Sequence, residues 1–234
     1  MKVGFFGGTF DPVHNGHVNM VEDAIRFGGL DKLLVVPAGR TVHKPVERVS
    51  SAGMRYMMCH LAFSPFRHVE VSRIEVQREH GSYTIDTLRE LKAALTGKDQ
   101  LYMVCGADIL FDILHWRSPE AILREIRILA SLRPGHDRSG MEIRARELSD
   151  RYGAEITFFE ARQTDVSSTA VREAVERSLP ISGLVPPAVR RFIRMAGLYG
   201  PEDPLESLDP DHQDRLRTAE RVLLSLETPQ REKE

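Results

Sequence analysis

Two histidines three residues apart, His14 and His17, follow a Gly-Gly pair in the segment GGTFDPVHNGH, residues 7–17. At that spacing their rings share one side of a helix start, where imidazoles bind an anion or hold a metal. A zinc site would need a third ligand such as the glutamate of H-E-x-x-H, and the segment has none. Anion binding fits better. A glycine turn lets backbone come close to a ligand, and the N–H groups and positive dipole end of the following helix favour phosphate. A second cluster, Ser167, Ser168 and Thr169 with Arg172 just beyond, offers hydroxyls, backbone donors and a cation at another helix start. Lys44 adds a point cation after the second apolar run. Neither G-x-G-x-x-G nor G-x-x-x-x-G-K-[ST] occurs, which disfavours a dinucleotide fingerprint and a P-loop.

The elements that must position these groups are legible as an alternation. Residues 2–6 are an apolar run ending at Gly7-Gly8, and residues 14–27 place Val18, Val21, Ala24 and Ile25 at helical spacing. Residues 32–36 return as a buried strand, completing a right-handed βαβ unit. Ser50 or Ser51 then caps a helix carrying Met54, Met57, Met58 and Leu61; residues 68–76 read as extended; Ser82 caps a helix through Ile85, Leu88, Leu91 and Leu95. Further strands are expected at 101–105, 128–132 and 155–159, with helices at 108–116, 119–126, 141–152, 167–178 and, opened by proline, 185–199. The pattern predicts an α/β, Rossmann-like doubly wound parallel sheet with helices on both faces, closing at Tyr199. Residues 200–210, GPEDPLESLDP, have the composition of an acidic linker. Residues 211–226 put Leu216, Ala219, Val222, Leu223 and Leu226 on one stripe, a C-terminal tail helix expected to pack on the body or on a second copy of the chain. The predicted domains are therefore 1–199, carrying the chemistry, and 200–234, the tail.

Composition bounds the class. Of 234 residues, 41% are hydrophobic and 28% charged, enough for a core under a solvated surface. No apolar run approaches the roughly 20 residues of a membrane helix, and the start MKVGFFGGTFDP lacks the apolar stretch of a signal peptide. The expectation is a soluble, cytoplasmic protein without a membrane partner. Cys59 and Cys105 have no C-x-x-C spacing and read as small buried hydrophobes. The formal net charge of -2 divides into -5 for residues 201–234, with ten Asp/Glu and five Lys/Arg, and +3 for residues 1–200. A weakly basic body suits a small anionic ligand better than a nucleic-acid polymer.

With HNGH as an H-x-G-H signature, the sequence resembles the nucleotidylyltransferase superfamily and, within it, the bacterial nicotinate-nucleotide adenylyltransferases. The resemblance covers roughly residues 1–199 and rests on GGTFDPVHNGH (7–17), HK (43–44), GSYTIDTL (81–88), GAD with a downstream Trp (106–108 and Trp116) and SSTAVR (167–172). H-x-G-H alone is shared in related form by class I aminoacyl-tRNA synthetases, but 234 residues leave no room for anticodon recognition. Two departures stand out: Thr41-Val42 where related sequences have Pro-Pro, and Val166 where they have isoleucine.

The resemblance implies attack of a mononucleotide 5′-phosphate on the α-phosphorus of ATP, giving the adenine dinucleotide and pyrophosphate. It assigns Gly7, Gly8, Thr9, Phe10, His14, His17, Gly106, Asp108, Ser167, Ser168, Thr169 and Arg172 to ATP. Gly8, Thr9, Lys44, Tyr83, Thr84 and Trp116 fall to nicotinate mononucleotide, with Trp116 stacked on the pyridine ring and Tyr83 and Thr84 beside the carboxylate. Catalysis is expected from His17 first, with His14, Lys44 and Arg172 on the phosphates, and Mg²⁺ arriving on the ATP oxygens instead of in a protein metal site. The rival expectations are a superfamily member using phosphopantetheine or FMN, against which SYT and Trp116 argue, and a nucleotide sensor without catalysis, against which the intact HNGH, Lys44 and Arg172 argue.

Overall fold

The computed structural model of the chain describes residues 1–40, 49–78, 81–132 and 137–200. Six strands, β1 (Lys2–Gly8), β2 (Lys32–Pro37), β3 (Val69–Val71), β4 (Gln100–Gly106), β5 (Arg127–Leu132) and β6 (Glu155–Glu160), form one sheet in the order β3-β2-β1-β4-β5-β6. Every pairing is parallel. The chain winds outward one way from β1 and the other way from β4, so a crevice opens beyond the carboxyl ends of these two neighbours. This is the expected doubly wound α/β sheet.

Helices cover both faces because the inner strands β1, β2, β4 and β5 bury apolar residues on both sides. On one face α1 (Asn15–Gly28), α2 (Ala52–Phe63), α7 (Ser168–Glu176) and α8 (Pro187–Met195) bury Val21, Met58, Val171 and Ile193. On the other, α3 (Thr84–Ala94), α5 (Pro119–Glu125) and α6 (Arg138–Tyr152) bury Leu88, Ile122 and Leu148, and the short α4 (Ile109–Asp112) continues into a 3₁₀ turn, Ile113–His115. Cys59 and Cys105 are free and buried, and burial pushes both thiols up, Cys105 to about 12. No helix among the described residues is long and apolar enough to cross a membrane.

Two local expectations are corrected. The extended segment expected over 68–76 is a strand only at Val69–Val71. Beyond it the Ser72 hydroxyl accepts the Ile74 N–H at 3.3 Å and Gln77 N–H reaches Arg73 carbonyl at 3.0 Å, so local bonds replace the ladder. Ser82 does not cap α3: its first turn closes on the Tyr83 carbonyl, one residue later, and the helix stops at Ala94 with Leu95 already extended. Of the alternatives for α2, Ser51 is the cap, accepting the Met54 N–H at 3.2 Å. Lys44, Thr41-Val42 and the tail helix lie outside the described residues.

The loops at the carboxyl edge are gathered by Arg55, on α2 and only 2% exposed. Its guanidinium donates to three carbonyls from separate segments: Thr9 at 2.9 Å, Gly39 at 2.8 Å and Ser50 at 3.0 Å. Burial lowers its pKa, and the nearby Asp11 carboxylate is the strongest influence the other way. Gly39 is confined on its other side too, since a Cβ there would lie 2.0 Å from the Glu75 carbonyl oxygen. Replacing Arg55 by methionine fills the space but strands three carbonyls and a buried carboxylate. The expected outcome of Arg55→Met is a loss of about 3–5 kcal/mol in urea unfolding; a loss under about 1 kcal/mol would remove Arg55 as the clasp.

Candidate active site

Above the crevice between β1 and β4 lies a cavity of about 610 Å³. It is floored by Phe5, Gly7 and Gly8 of β1 and by Met103, Cys105 and Gly106 of β4. The glycines keep this floor low, leaving backbone within reach of a ligand.

Both histidines line the cavity. His14 is the N-cap of α1 with extended φ and ψ of -138° and 171°, and His17 is the third residue of the helix. The His14 N–H donates to His17 Nδ1 at 3.2 Å, and the rings stack with centroids 3.6 Å apart. A ring that accepts at Nδ1 carries its proton on Nε2, so this bond fixes the tautomer and makes His17 a donor. Phe10 holds the ring from its edge, centroids 4.9 Å apart, and Phe6 packs behind it at 6.1 Å. Phe10, with a positive φ of 52° and only 2% exposed, lines the cavity and forms a wall for His17. At Gly16 a Cβ would press on His14 Nδ1 at 3.0 Å, so glycine between the histidines leaves their stack undisturbed.

The loop that presents them is anchored by Asp11, 4% exposed. Its Oδ1 accepts the Tyr199 hydroxyl at 2.7 Å, and the Ser50 hydroxyl donates to Tyr199 at 3.2 Å. Burial, with the Asp11 charge, pushes the Tyr199 phenol well above its usual range. From the other side α7 clamps the same loop: Ser168 Oγ donates to the Pro12 carbonyl at 2.9 Å and Arg172 Nη1 to the Asp11 carbonyl at 2.7 Å. Ser167 caps α7 by accepting the Ala170 N–H at 3.1 Å, and Thr169 Oγ1 accepts from Arg172 at 3.2 Å. The body of α1 is fixed by Asp23, 2% exposed, which takes both the N–H and Nε of Arg162 at 2.9 Å.

Of the residues singled out in sequence, the cavity gathers Gly7, Gly8, Thr9, Phe10, His14, His17, Thr84, Gly106, Asp108, Trp116 and Ser167. Tyr83, Ser168, Thr169 and Arg172 are not among the residues that line it. Tyr83 lies under the Arg117 guanidinium, 4.4 Å from ring centroid to carbon, next to Trp116 in the chain. Sequence reasoning missed Asp11, Asp23, Arg55, Glu75, Arg162 and Tyr199. A signal existed for two of them, because Asp23 and Arg55 occupy apolar helical registers beside Met20, Ala24, Met58 and Cys59.

Comparison with known proteins places similar chains beside this one. The cytidylyltransferase-like family model matches residues 5–174. The chain is 39% identical over 200 residues to a probable nicotinate-nucleotide adenylyltransferase of Moorella thermoacetica, covering 86% of this chain and 92% of that protein. It is 37% identical over 199 residues to one from a Thermoanaerobacter species, covering 85% and 94%. In fold it is similar to the Plasmodium falciparum nicotinic acid mononucleotide adenylyltransferase complexed with NaAD, with a TM-score of 0.69 at 17% identity, over 85% of this chain and 97% of that one. The same enzyme complexed with APC gives 0.67 at 14% identity, over 85% and 96%.

Proposed function

The chain belongs to the cytidylyltransferase-like family and, within it, to the nicotinate-nucleotide adenylyltransferases, and from that membership we propose how its own residues carry out adenylyl transfer. The reaction joins nicotinate mononucleotide and ATP to give nicotinate adenine dinucleotide and pyrophosphate, a step of NAD biosynthesis. A 5′-phosphate oxygen attacks the α-phosphorus in line, a new P–O bond forms, and the bond to the bridging oxygen of the β-phosphate breaks. The attacking phosphate is already an anion, so no general base is needed and catalysis falls to alignment and charge stabilisation.

The observation that carries this reading is the His14 N–H to His17 Nδ1 bond at the sheet's switch point. It makes His17 Nε2–H the donor for the α-phosphate and for the charge that builds there in the transition state. His14 supports that ring by stacking and flanks the same phosphates. Gly7, Gly8 and Thr9 give both nucleotides a close backbone floor. Gly106 and Asp108 line the adenosine side, while Trp116 offers its ring to the pyridine and Thr84 its helix start to the carboxylate. Ser167 faces the phosphates. Ser168, Thr169 and Arg172 act from α7, holding the histidine loop, and Arg172 brings positive charge toward the β- and γ-phosphates; Lys44 supplies a further cation.

No three of the described His, Cys, Asp or Glu side chains are grouped to hold a metal, and the donors around the cavity suit phosphate instead. In this reading Mg²⁺ enters as part of the ATP complex, carried by its phosphate oxygens. Residues 1–199 form the catalytic unit of what we read as a cytoplasmic enzyme for small nucleotides, with no nucleic-acid polymer as partner.

The direct test assays pyrophosphate release with ATP and each of nicotinate mononucleotide, nicotinamide mononucleotide, FMN and phosphopantetheine. The expected outcome is the highest kcat/KM for the nicotinate acceptor; a higher value for FMN or phosphopantetheine, or ATP binding without turnover of any acceptor, would overturn the reading. His17→Ala is expected to stay folded by circular dichroism and to lose about 100-fold or more in kcat/KM, the scale of one missing transition-state donor. Near-normal turnover by the folded variant would remove His17 from the mechanism.

A further inference from the structure

One buried charge on the cavity wall is left unused by this mechanism. Glu75 is 8% exposed and lines the cavity with Ala38, Ser82, Thr84 and Trp116. Its burial raises the carboxyl's pKa, and the Thr87 hydroxyl is the strongest influence the other way. Thr87 Oγ1 donates to Glu75 Oε1 at 2.7 Å from the second turn of α3, one turn after Thr84. Arg78 donates to the same Thr87 oxygen at 3.2 Å and pairs with Glu90 at 2.6 Å. On its other side Glu75 is packed against Gly39, the residue whose carbonyl Arg55 holds, so closely that a Cβ on Gly39 would lie 2.0 Å from the Glu75 carbonyl oxygen. Glu75 thus joins the exit of β2 to α3.

The start of α3 is gripped from two directions. The Arg117 guanidinium over Tyr83 ties it to the segment that carries Trp116. Glu75 through Thr87 ties it to the Gly39 turn. Among the described residues no hydrogen bond joins the Glu75 side chain directly to α1 or α7, where the histidine loop is held by Asp11, Ser168 and Arg172; its link to that side runs only through Gly39 and Arg55.

Resting on the adenylyltransferase reading above, we propose that Glu75 is a positioning residue for the acceptor: it sets where the Thr84 turn of α3 stands opposite Trp116, and so governs binding of the pyridine mononucleotide but not of ATP. It touches neither reacting phosphate, so its loss leaves the chemical step intact once the acceptor is bound. A buried carboxylate held by the Thr87 hydroxyl is also expected to tolerate no substitute that removes that acceptor without loosening α3.

The test measures KM for each substrate, kcat and melting temperature in Glu75→Gln, Glu75→Ala, Thr87→Val and Thr87→Ser, beside the unaltered enzyme. The proposal expects KM for nicotinate mononucleotide to rise about 10-fold in Glu75→Ala and Thr87→Val, with KM for ATP and kcat within about twofold. Thr87→Ser, which keeps the hydroxyl, restores the acceptor KM, and Glu75→Gln falls between. Equal rises for both substrates, a fall in kcat with KM unchanged, or a lower melting temperature with both KM values unchanged would each overturn it. Should Glu75→Ala fail to fold, Thr87→Val carries the same comparison. If the unaltered enzyme transfers no adenylyl group to nicotinate mononucleotide, the functional reading fails instead, and the two failures are separated.

Discussion

A buried guanidinium can remain charged only where the protein replaces its water, and Arg55 imposes that requirement on three loops at once. Its fork reaches the carbonyls of Thr9, Gly39 and Ser50, which follow β1, follow β2 and precede α2. Loops at a sheet's carboxyl edge are otherwise the least constrained parts of such a fold. Here they share one donor and cannot move apart without stranding it. Asp11 lies close enough to offset the charge, and Asp11 is itself bonded to Tyr199, the last aromatic of the body. Residues 188 positions apart therefore meet at the turn that presents the two histidines.

The chemistry follows from that stiffness. An in-line displacement at phosphorus asks little covalent work of a protein and much geometric accuracy. The histidine pair is fixed by backbone on one side, by phenylalanine rings on another and by Gly16 between its members. α7 brings a helix start and Arg172 to the same loop, but spends Ser168 and Arg172 on the Pro12 and Asp11 carbonyls. Much of what resembles a phosphate cradle in sequence is thus also the scaffold of the histidine turn. The cavity divides accordingly: β1, α1 and α7 hold the side of the histidines, while Glu75, α3 and Trp116 shape the opposite wall.

The fold was legible because the inner strands are short apolar runs and several helices carry a clear period and start signal; Ser51, Ser167 and the proline before α8 mark starts that the backbone follows. The central residues of the site were legible for a related reason, since glycines, paired histidines and a lone tryptophan are conspicuous by type. Hidden were the residues whose role comes from distant partners. Tyr199 reads as the end of a helix until Asp11 lies against it, and Glu75 reads as one residue of an extended run until local bonds at Ser72 and Arg73 break that run into a turn. Asp23 and Arg55 were discernible in principle, because a charge on an apolar helical stripe must be paid for by a partner. Their partners, a backbone N–H at Arg162 and three loop carbonyls, have no signature in sequence.

The central claim is that alignment alone effects a single displacement at the α-phosphorus, with no protein nucleophile intervening. Stereochemistry at that phosphorus tests it most directly. With ATP made chiral at the α-position by sulfur substitution, the account predicts inversion of configuration in the dinucleotide product, as one in-line attack requires. Retention would mean two displacements through a covalent enzyme intermediate and would contradict the account.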